Sequence, residues 1–305
     1  MNRSRNVEPL ADPRYQSRRT ISVYQPKPSL WRNDTVTVAW IGHATVLINF
    51  FGVIILTDPV LFERVGVYLF GVTFGLTRLV PPALSFDKLP QPDVIVLSHV
   101  HMDHCDMQTL TQLTQKYPRE IVGITAKHTS DVVSDLSWRM LKEIDWNERF
   151  QIATLHGDIE IQGLEVRHFG WRLPGELDRA SGHHLGRSFN AYILERYGKR
   201  IVFGGDTAMT DSFRRAFEHD THPVDIAIMP IGAYNPWRTV HCTPEEALRM
   251  AQDMHARYIV PIHCMTFPLG REALFEPMER LHRAAEASNV TIALSAIGKT
   301  FELPL

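Results

Sequence analysis

Three histidines and one aspartate lie within six residues, as His99, His101, Asp103 and His104, directly after the apolar run Val94–Ser98. Imidazole nitrogens and carboxylate oxygens are common ligands of divalent metal ions in proteins. A loop that follows a strand can direct alternate side chains to one point, which a helix could not do at this spacing. The segment therefore predicts a metal site after a buried strand; the alternative is a polar surface loop.

His168, Asp206 and His263 each lie at or just after the end of another apolar run typical of a strand. Ligands collect at the carboxyl ends of strands in open α/β sheets, so we expect these residues to join the same site. His183 and His184 are alternatives to His168, but they lie in a polar stretch that we interpret as a loop. The combined set contains no cysteine, which suits zinc, iron or manganese.

The elements that must position these residues alternate along the chain. Helices are predicted from Asp106, from Thr243 and over Glu272–Ala287, and Thr243, Pro244 and Glu246 form a capping box. Strands are predicted over Thr35–Trp40, Thr45–Phe50, Val53–Thr57, Val94–Ser98, Glu120–Ile124, Gln151–Thr154, Leu164–His168, Ala191–Glu195, Arg200–Phe203, Asp225–Met229 and Tyr258–Ile262. This order predicts an α/β or α+β sandwich.

We expect residues 1–30, which are polar and contain four prolines, to form a leader or arm, and residues 31–305 to form one domain. The 305 residues include 32 Lys+Arg and 34 Asp+Glu, a formal net charge of −2 that gives no reason to expect a nucleic-acid partner. Three cysteines cannot build a disulfide framework, so a cytoplasmic location is expected. Fifteen histidines are unusually many, which fits a site that uses them as ligands.

The segment 60–84 is dense in apolar residues, and its longest uncharged stretch is Val65–Thr77. That stretch is too short to span a bilayer. It could form a core helix or an oligomer interface. The alternative is an apolar lid near the site that admits acyl chains or contacts a membrane surface.

The motifs together resemble the metallo-β-lactamase-fold metallohydrolase superfamily. Within it, the chain is most similar to the N-acylphosphatidylethanolamine-hydrolysing phospholipase D family, whose relatives include ascorbate-6-phosphate lactonase-like enzymes. The resemblance implies a four-layer αβ/βα sandwich. The matching segments are Trp40–Thr45, Leu56–Pro59, the run from Leu97 through His104, Phe203–Thr207, Pro230–Tyr234, His241–Ala247 and Ile262–His263.

The resemblance also implies two divalent metal ions, with zinc as first choice and iron or manganese as alternatives. Asp103 would additionally orient a metal-bridging hydroxide, the nucleophile that such sites use at neutral pH. One ion would be held by His99, His101 and His168, the other by Asp103, His104 and His263, with Asp206 bridging the two.

Three residues are expected beside the ligands. Asp58 is either an acceptor for a ligand imidazole N–H or an Asp-Pro turn residue. His43, on a turn between two predicted strands, lines the site or satisfies a buried backbone group. By its match to the family, His241 is expected to bind substrate or donate a proton to the leaving group; otherwise it is a loop histidine that packs.

The leading functional expectation is a hydrolase of phosphodiesters, with an N-acyl phospholipid-like compound as one candidate substrate. A lactonase or other carboxylic ester or amide hydrolase is the close alternative, and a non-catalytic metal-binding protein is the third. A small-molecule or lipid substrate is expected, and homo-oligomerisation is left open. Cys105, Cys242 and Cys264 each follow a candidate site histidine, and a thiol sensitive to oxidation near the metals is the functional alternative to simple packing.

Overall fold

The computed structural model describes residues 5–7, 21–218 and 222–304. Residues 1–4 and 8–20 of the predicted leader, and His219, lie outside these ranges. The helices of the described part are α1 (Met107–Lys116), α2 (Ser212–Phe217), α3 (Tyr234–Trp237), α4 (Pro244–Asp253) and α5 (Glu276–Ala285). Its strands are β1 (Arg5–Val7), β2 (Ile21–Val23), β3 (Val36–Gly42), β4 (Thr45–Phe50), β5 (Val53–Thr57), β6 (Arg64–Leu69), β7 (Val72–Thr77), β8 (Val94–Val96), β9 (Val122–Ala126), β10 (Met140–Ile144), β11 (Arg149–Thr154), β12 (Gly157–Glu165), β13 (Asn190–Arg196), β14 (Lys199–Phe203), β15 (Ile226–Pro230), β16 (Tyr258–Ile262), β17 (Thr291–Ile292) and β18 (Thr300–Glu302).

Two seven-stranded sheets dominate the fold, in the orders β10-β9-β8-β5-β4-β3-β18 and β11-β12-β13-β14-β15-β16-β17. Each sheet has one parallel and one antiparallel part. In the first sheet β10, β9, β8 and β5 run parallel, and in the second β14, β15, β16 and β17 do. Since parallel strands present their carboxyl ends at one edge, each sheet can deliver several loops to a common site.

One continuous apolar cluster unites the two sheets. Trp40 and Phe50 from the first sheet and Tyr192 and Phe203 from the second are fully buried in it. Helices α4 and α5 pack on each other, and α4 also contacts β15. The predicted fold class, a mixed α/β architecture with two large sheets, is confirmed.

Local sequence rules explain the two helices that flank the site. The Asp106 side chain accepts a hydrogen bond from the Thr109 N–H and so caps α1. The predicted capping box of α4 is present, because Thr243 and Glu246 each satisfy the other's backbone N–H. No helix in the described part of the chain is both long enough and apolar enough to cross a membrane.

Some boundaries differ from the prediction. The strand predicted to end at His168 ends at Glu165, so His168 lies on the loop that follows β12. The helix predicted from Glu272 begins at Glu276, because the Glu272 carboxylate instead accepts hydrogen bonds from the Ala233 and Asn235 backbone N–H groups.

The core helix considered for the segment 60–84 is wrong. Strands β6 and β7 form an antiparallel hairpin that pairs with neither large sheet. Its turn is Phe70–Gly71, and both residues have a positive φ, as a two-residue hairpin turn of type I′ requires.

Candidate metal centre

The site lies where loops from both sheets meet. Asp58 follows β5, and the segment containing His99 to His104 follows the adjacent parallel strand β8. Asp206 follows β14 and His263 follows β16, both in the parallel part of the second sheet. The strand-end argument therefore brings together the residues that it predicted.

One cluster consists of His99, His101 and His168. His101 Nδ1 lies 2.7 Å from His99 Nε2 and 3.2 Å from His168 Nε2. The three nitrogens thus converge on one point, as the ligands of a single metal ion must. The structure brings His168 into this cluster, whereas His183 and His184 are exposed.

A second cluster surrounds the carboxylates of Asp103 and Asp206. His263 Nε2 lies 3.4 Å from Asp103 Oδ2 and 3.0 Å from Asp206 Oδ2. His104 Nε2 lies 3.6 Å and 3.0 Å from the same two oxygens. Asp206 Oδ2 is also 3.9 Å from His168 Nε2, so this carboxylate faces both clusters. That position is what a bridging ligand requires.

Asp58 fixes the orientation of ligand imidazoles in both clusters. Its Oδ2 lies 2.6 Å from His104 Nδ1, and since a carboxylate only accepts, Nδ1 carries the proton. Ser98 Oγ donates to the same Oδ2 at 2.6 Å and lies 2.8 Å from His99 Nδ1, which therefore donates to it. In its neutral form each of the two rings therefore has its proton on Nδ1, which leaves Nε2 able to ligate.

Two further contacts orient the remaining side chains. The Val240 carbonyl accepts a hydrogen bond from His168 Nδ1 at 2.9 Å, which leaves His168 Nε2 as the ligand atom. His43 Nε2 lies 3.0 Å from Asp103 Oδ2. Burial lowers the pKa of His43 to about 3, so the neutral ring donates this hydrogen bond.

Backbone conformation at the strand ends is specialised. Gly205 has φ +57°, and a Cβ there would lie 2.6 Å from the Ser98 Cβ. Only glycine lets the loop that carries Asp206 approach the loop after β8 so closely. Asp58 and His263 also have positive φ values, a strain that the packing around the site must hold in place.

Several buried atoms of the site have no hydrogen-bond partner within the described residues. Buried polar atoms are almost always satisfied, so a cluster of exceptions needs an explanation. His104 Nε2 and His263 Nε2 are close to Asp206 but without hydrogen-bond alignment. A metal ion in the second cluster would satisfy His104 Nε2 and His263 Nε2, so these donors fit the implied metal. The atoms are His101 Nε2, His104 Nε2, Asp206 Oδ1, His241 Nδ1, and both ring nitrogens of His263.

In the absence of metal, protons on neighbouring histidines balance the negative charges of the two aspartates of the site. Burial opposes ionisation of Asp103 and Asp206, but the neighbouring histidines hold the pKa of both carboxyls well below its usual range. Burial likewise opposes a charge on His263 and His104, yet the carboxylates raise the pKa of His263 to about 9 and that of His104 well above its usual value. Two imidazolium ions therefore occupy the place where divalent cations would otherwise supply the positive charge.

Metal loading is accordingly expected to release at least about two protons per chain at neutral pH, one each from His104 and His263. Because ligation requires the neutral rings, metal affinity should rise as pH increases from 6.5 towards about 9. Calorimetric titration of the metal-free protein in buffers of different ionisation enthalpy measures the number of protons released. Loading without proton release would contradict the assignment of both histidines as ligands.

A cavity of about 500 Å³ opens above the two clusters of histidine and aspartate side chains. Asp103, Asp206 and His241 line its floor, and the aromatic walls include Trp171 and Trp237. No lysine or arginine in the described part of the chain lines it. A substrate would therefore meet apolar walls on its sides and the donor set below.

His241 lies at the edge of this donor set. Its Nδ1 is 3.8 Å from Asp206 Oδ2 and its ring stacks on that of His263. Burial lowers the pKa of His241 to about 3, so the ring is neutral near pH 7. A neutral imidazole donates a hydrogen bond but is a weak acid, which favours substrate binding over proton donation.

Sequence reasoning missed three contributors to the site. Ser98 and the Val240 carbonyl orient ligand imidazoles, and no motif marks either of them. Arg172 Nη1 donates to the carbonyls of Val100 and Cys105 at 2.6 Å and 3.0 Å, and so braces the ends of the histidine-rich loop. An arginine four residues after His168 was the only available signal.

The three cysteines are packing residues in this structure. All are buried, and Cys242 Sγ donates to the Pro230 carbonyl. Burial raises the pKa of each thiol, that of Cys105 to about 11, so little reactive thiolate forms. These observations disfavour the oxidation-sensitive thiol.

Comparisons with known proteins agree with this geometry. The chain is 34% identical over 285 residues to an uncharacterized protein of Mycobacterium tuberculosis, covering 89% of this chain and 70% of that protein. It is 29% identical to N-acyl-phosphatidylethanolamine-hydrolyzing phospholipase D 1 of Caenorhabditis elegans, covering 81% and 69% respectively. The metallo hydrolase Igni18 of Ignicoccus hospitalis shares the fold, with a TM-score of 0.64 at 17% identity over 89% of this chain and 99% of that one.

A family model described as beta-lactamase superfamily domain matches residues 54–264, which span every predicted metal ligand. The curated relatives include proteins named metal-dependent hydrolases, such as one of Methanoculleus marisnigri. The non-catalytic alternative is thereby set aside. The sequence match, the two sheets and the converging histidines and aspartates agree with one another. The chain therefore belongs to the family described as beta-lactamase superfamily domain and is a metal-dependent hydrolase of the metallo-β-lactamase superfamily.

Proposed function

We propose that the chain is a dinuclear metal-dependent phosphodiesterase whose substrate is phospholipid-like. The observation that carries the proposal is the pair of His/Asp clusters joined by Asp206 beneath an apolar-walled cavity. The similarity to a C. elegans enzyme named for hydrolysis of N-acyl-phosphatidylethanolamine supports the substrate class.

In this proposal His99, His101 and His168 hold one ion and Asp103, His104 and His263 the other, with Asp206 shared. Zinc is the first choice, because the set is nitrogen-rich, and iron or manganese are the alternatives. When bound, two such ions activate water at neutral pH and balance the negative charge of a reacting phosphoryl group.

The chain's own residues then orient the reactants. Asp103 is ionised, faces the cavity and is held by His43, so it can accept a hydrogen bond from the attacking water. His241 is neutral and faces the same cavity, so it can donate a hydrogen bond to a phosphoryl oxygen. The aromatic walls keep bulk water away from the leaving group.

A lactonase or carboxylic ester hydrolase is the second candidate. One observation favours it: no lysine or arginine in the described residues lines the cavity, and a neutral substrate needs none. The metal-loaded protein should be assayed with bis(p-nitrophenyl) phosphate, N-acyl-phosphatidylethanolamine and a series of lactones. Hydrolysis of the phosphodiesters alone supports the proposal, and hydrolysis of lactones alone would replace it with the second candidate.

The role of His241 predicts a specific kinetic effect. His241→Ala should lower kcat/KM for the phosphodiester by about 10- to 100-fold, the range expected for one hydrogen bond to a charged group. His241→Gln keeps a donor and should recover part of the loss. Both variants should retain their metal, as measured by elemental analysis. Loss of one metal ion from His241→Ala would instead identify His241 as a ligand.

A further inference from the structure

The hairpin formed by β6 and β7 has one face made of apolar side chains. In its register Val65 pairs with Leu76, Val67 with Phe74, and Leu69 with Val72. Directly paired residues of an antiparallel hairpin point to the same face, so all six side chains share one face. We call this face the apolar face of the hairpin.

This apolar face points away from the body of the protein. Val65 at its base is buried, but Val67 is 41%, Phe74 61% and Val72 53% exposed. At the tip Phe70 is 101% exposed, so no neighbouring wall covers its ring. An exposed, contiguous apolar surface of this kind marks an interaction site.

The opposite face holds the hairpin in position. Thr73 is buried on that face, and its Oγ1 donates to Gln108 Oε1 of α1 at 2.8 Å. The polar contact is thus made with the protein and the apolar face is left to solvent. Since ordinary surface hairpins bury the apolar face, this orientation needs a partner outside the chain.

The base of the apolar face continues into the catalytic cavity. Val65 packs in a small buried cluster with Val60 and Phe267, and Leu269 packs against the same cluster. Leu269 also lines the cavity. The hairpin is therefore joined to the wall of the cavity through buried apolar contacts.

We propose that the hairpin docks the enzyme on a lipid surface, with Phe70 and the adjacent apolar side chains inserted among acyl chains. Residues within three positions of the tip lie within about 10 Å of it, at about 3.3 Å per residue. That length matches the shallow insertion of about 5–10 Å typical of interfacial elements.

The charge distribution fits this depth. No charged residue lies between Val65 and Thr77, whereas Glu63 and Arg64 at the base of the hairpin are both charged and exposed. Arg64 would stand about 10 Å further from the tip than Val67, where phosphate headgroups begin. A second copy of the chain is the alternative occupant, and the dependence of the label at position 70 on protein concentration tests for it.

Site-specific labelling tests the docking directly. The native cysteines are buried with raised thiol pKa values, so a cysteine introduced by Phe70→Cys can be labelled selectively with an environment-sensitive fluorophore. Leu155→Cys, on an exposed turn far along the chain, is the matched control at 73% exposure. With phosphatidylcholine vesicles, the emission from position 70 should shift to the blue and that from position 155 should not.

A flotation assay on the metal-loaded full chain gives the second readout. Phe70→Ser with Phe74→Ser should lower the vesicle partition coefficient at least about tenfold, while Leu30→Ser with Leu155→Ser should leave it unchanged. Equal partitioning of the two variants, or no binding by the wild type, would overturn the proposal. A label at position 70 that responds to protein concentration without vesicles would show a second copy there instead.

The docking is independent of the bond that the enzyme cuts. If the vesicle results hold but no phosphodiester is hydrolysed, the proposed function fails and the docking stands. If phosphodiesters are hydrolysed but the label at position 70 does not respond to vesicles, the docking proposal fails and the proposed function stands.

Discussion

Asp206→Asn is expected to lower kcat by at least about a thousandfold, or roughly 4 kcal/mol of transition-state stabilisation. Asp206 Oδ2 lies within 3.0 Å of nitrogens from His104 and His263 and within 3.9 Å of His168. An asparagine keeps the shape but removes the negative charge that both clusters share. The bound metal should fall from about two ions per chain to one or fewer.

Metal analysis and steady-state kinetics on the same preparation measure both effects. Asp225→Asn is a suitable control. Asp225, which directly precedes β15, is also buried, but its carboxylate forms an ion pair with Lys199 and not with the histidines of the site. The control should retain its metal and its kcat. An Asp206→Asn protein with two bound ions and near-normal kcat would show that Asp206 does not bridge.

Asp58→Asn is expected to weaken metal binding by about 100-fold, although Asp58 touches no metal ligand atom. Its carboxylate accepts from His104 Nδ1 directly and reaches His99 Nδ1 through Ser98. An amide placed there can donate to His104 Nδ1, which moves the ring proton to Nε2. The protonated Nε2 cannot ligate, so the effect passes through the tautomer rather than through lost packing.

The chain offers a close control for this substitution. Asp93 is also buried, and it also accepts from a backbone N–H, that of Ile54, and from His156 Nδ1. Asp93→Asn should change the thermal midpoint without changing metal affinity. Ser98→Ala should weaken metal binding less than Asp58→Asn, because His104 keeps its acceptor. Equal metal affinity in Asp58→Asn and Asp93→Asn would contradict the proposed role.

The sequence predicts well which histidines and aspartates meet at the site, because most of them follow strand ends. Val94–Val96 and Tyr258–Ile262 are short apolar strands; His263 comes directly after the second, and His99 comes three residues after the end of the first. His168 is harder, because two further histidines follow on the same connection and its place in the first cluster depends on how the loop after β12 folds back. The structure makes the choice over His183 and His184 that residue spacing alone leaves open.

The contacts that orient the ligands could not be predicted in the same way. Nothing in the sequence distinguishes Ser98 from other serines. Its hydrogen bonds to His99 and Asp58 depend on the close approach of two loops, which Gly205 permits. The hairpin was obscured for another reason. Its apolar residues alternate with Gly66, Tyr68 and Gly75, but their density over 20 residues is equally typical of a helix.

The central claim is that each of the two clusters holds one metal ion. Crystals of the metal-loaded protein, measured at the absorption edge of the bound metal, test it most directly. The account predicts two anomalous peaks about 3.5–4 Å apart, one among His99, His101 and His168 and the other beside Asp103, with Asp206 between them. A single peak, or two peaks away from these side chains, would contradict the account.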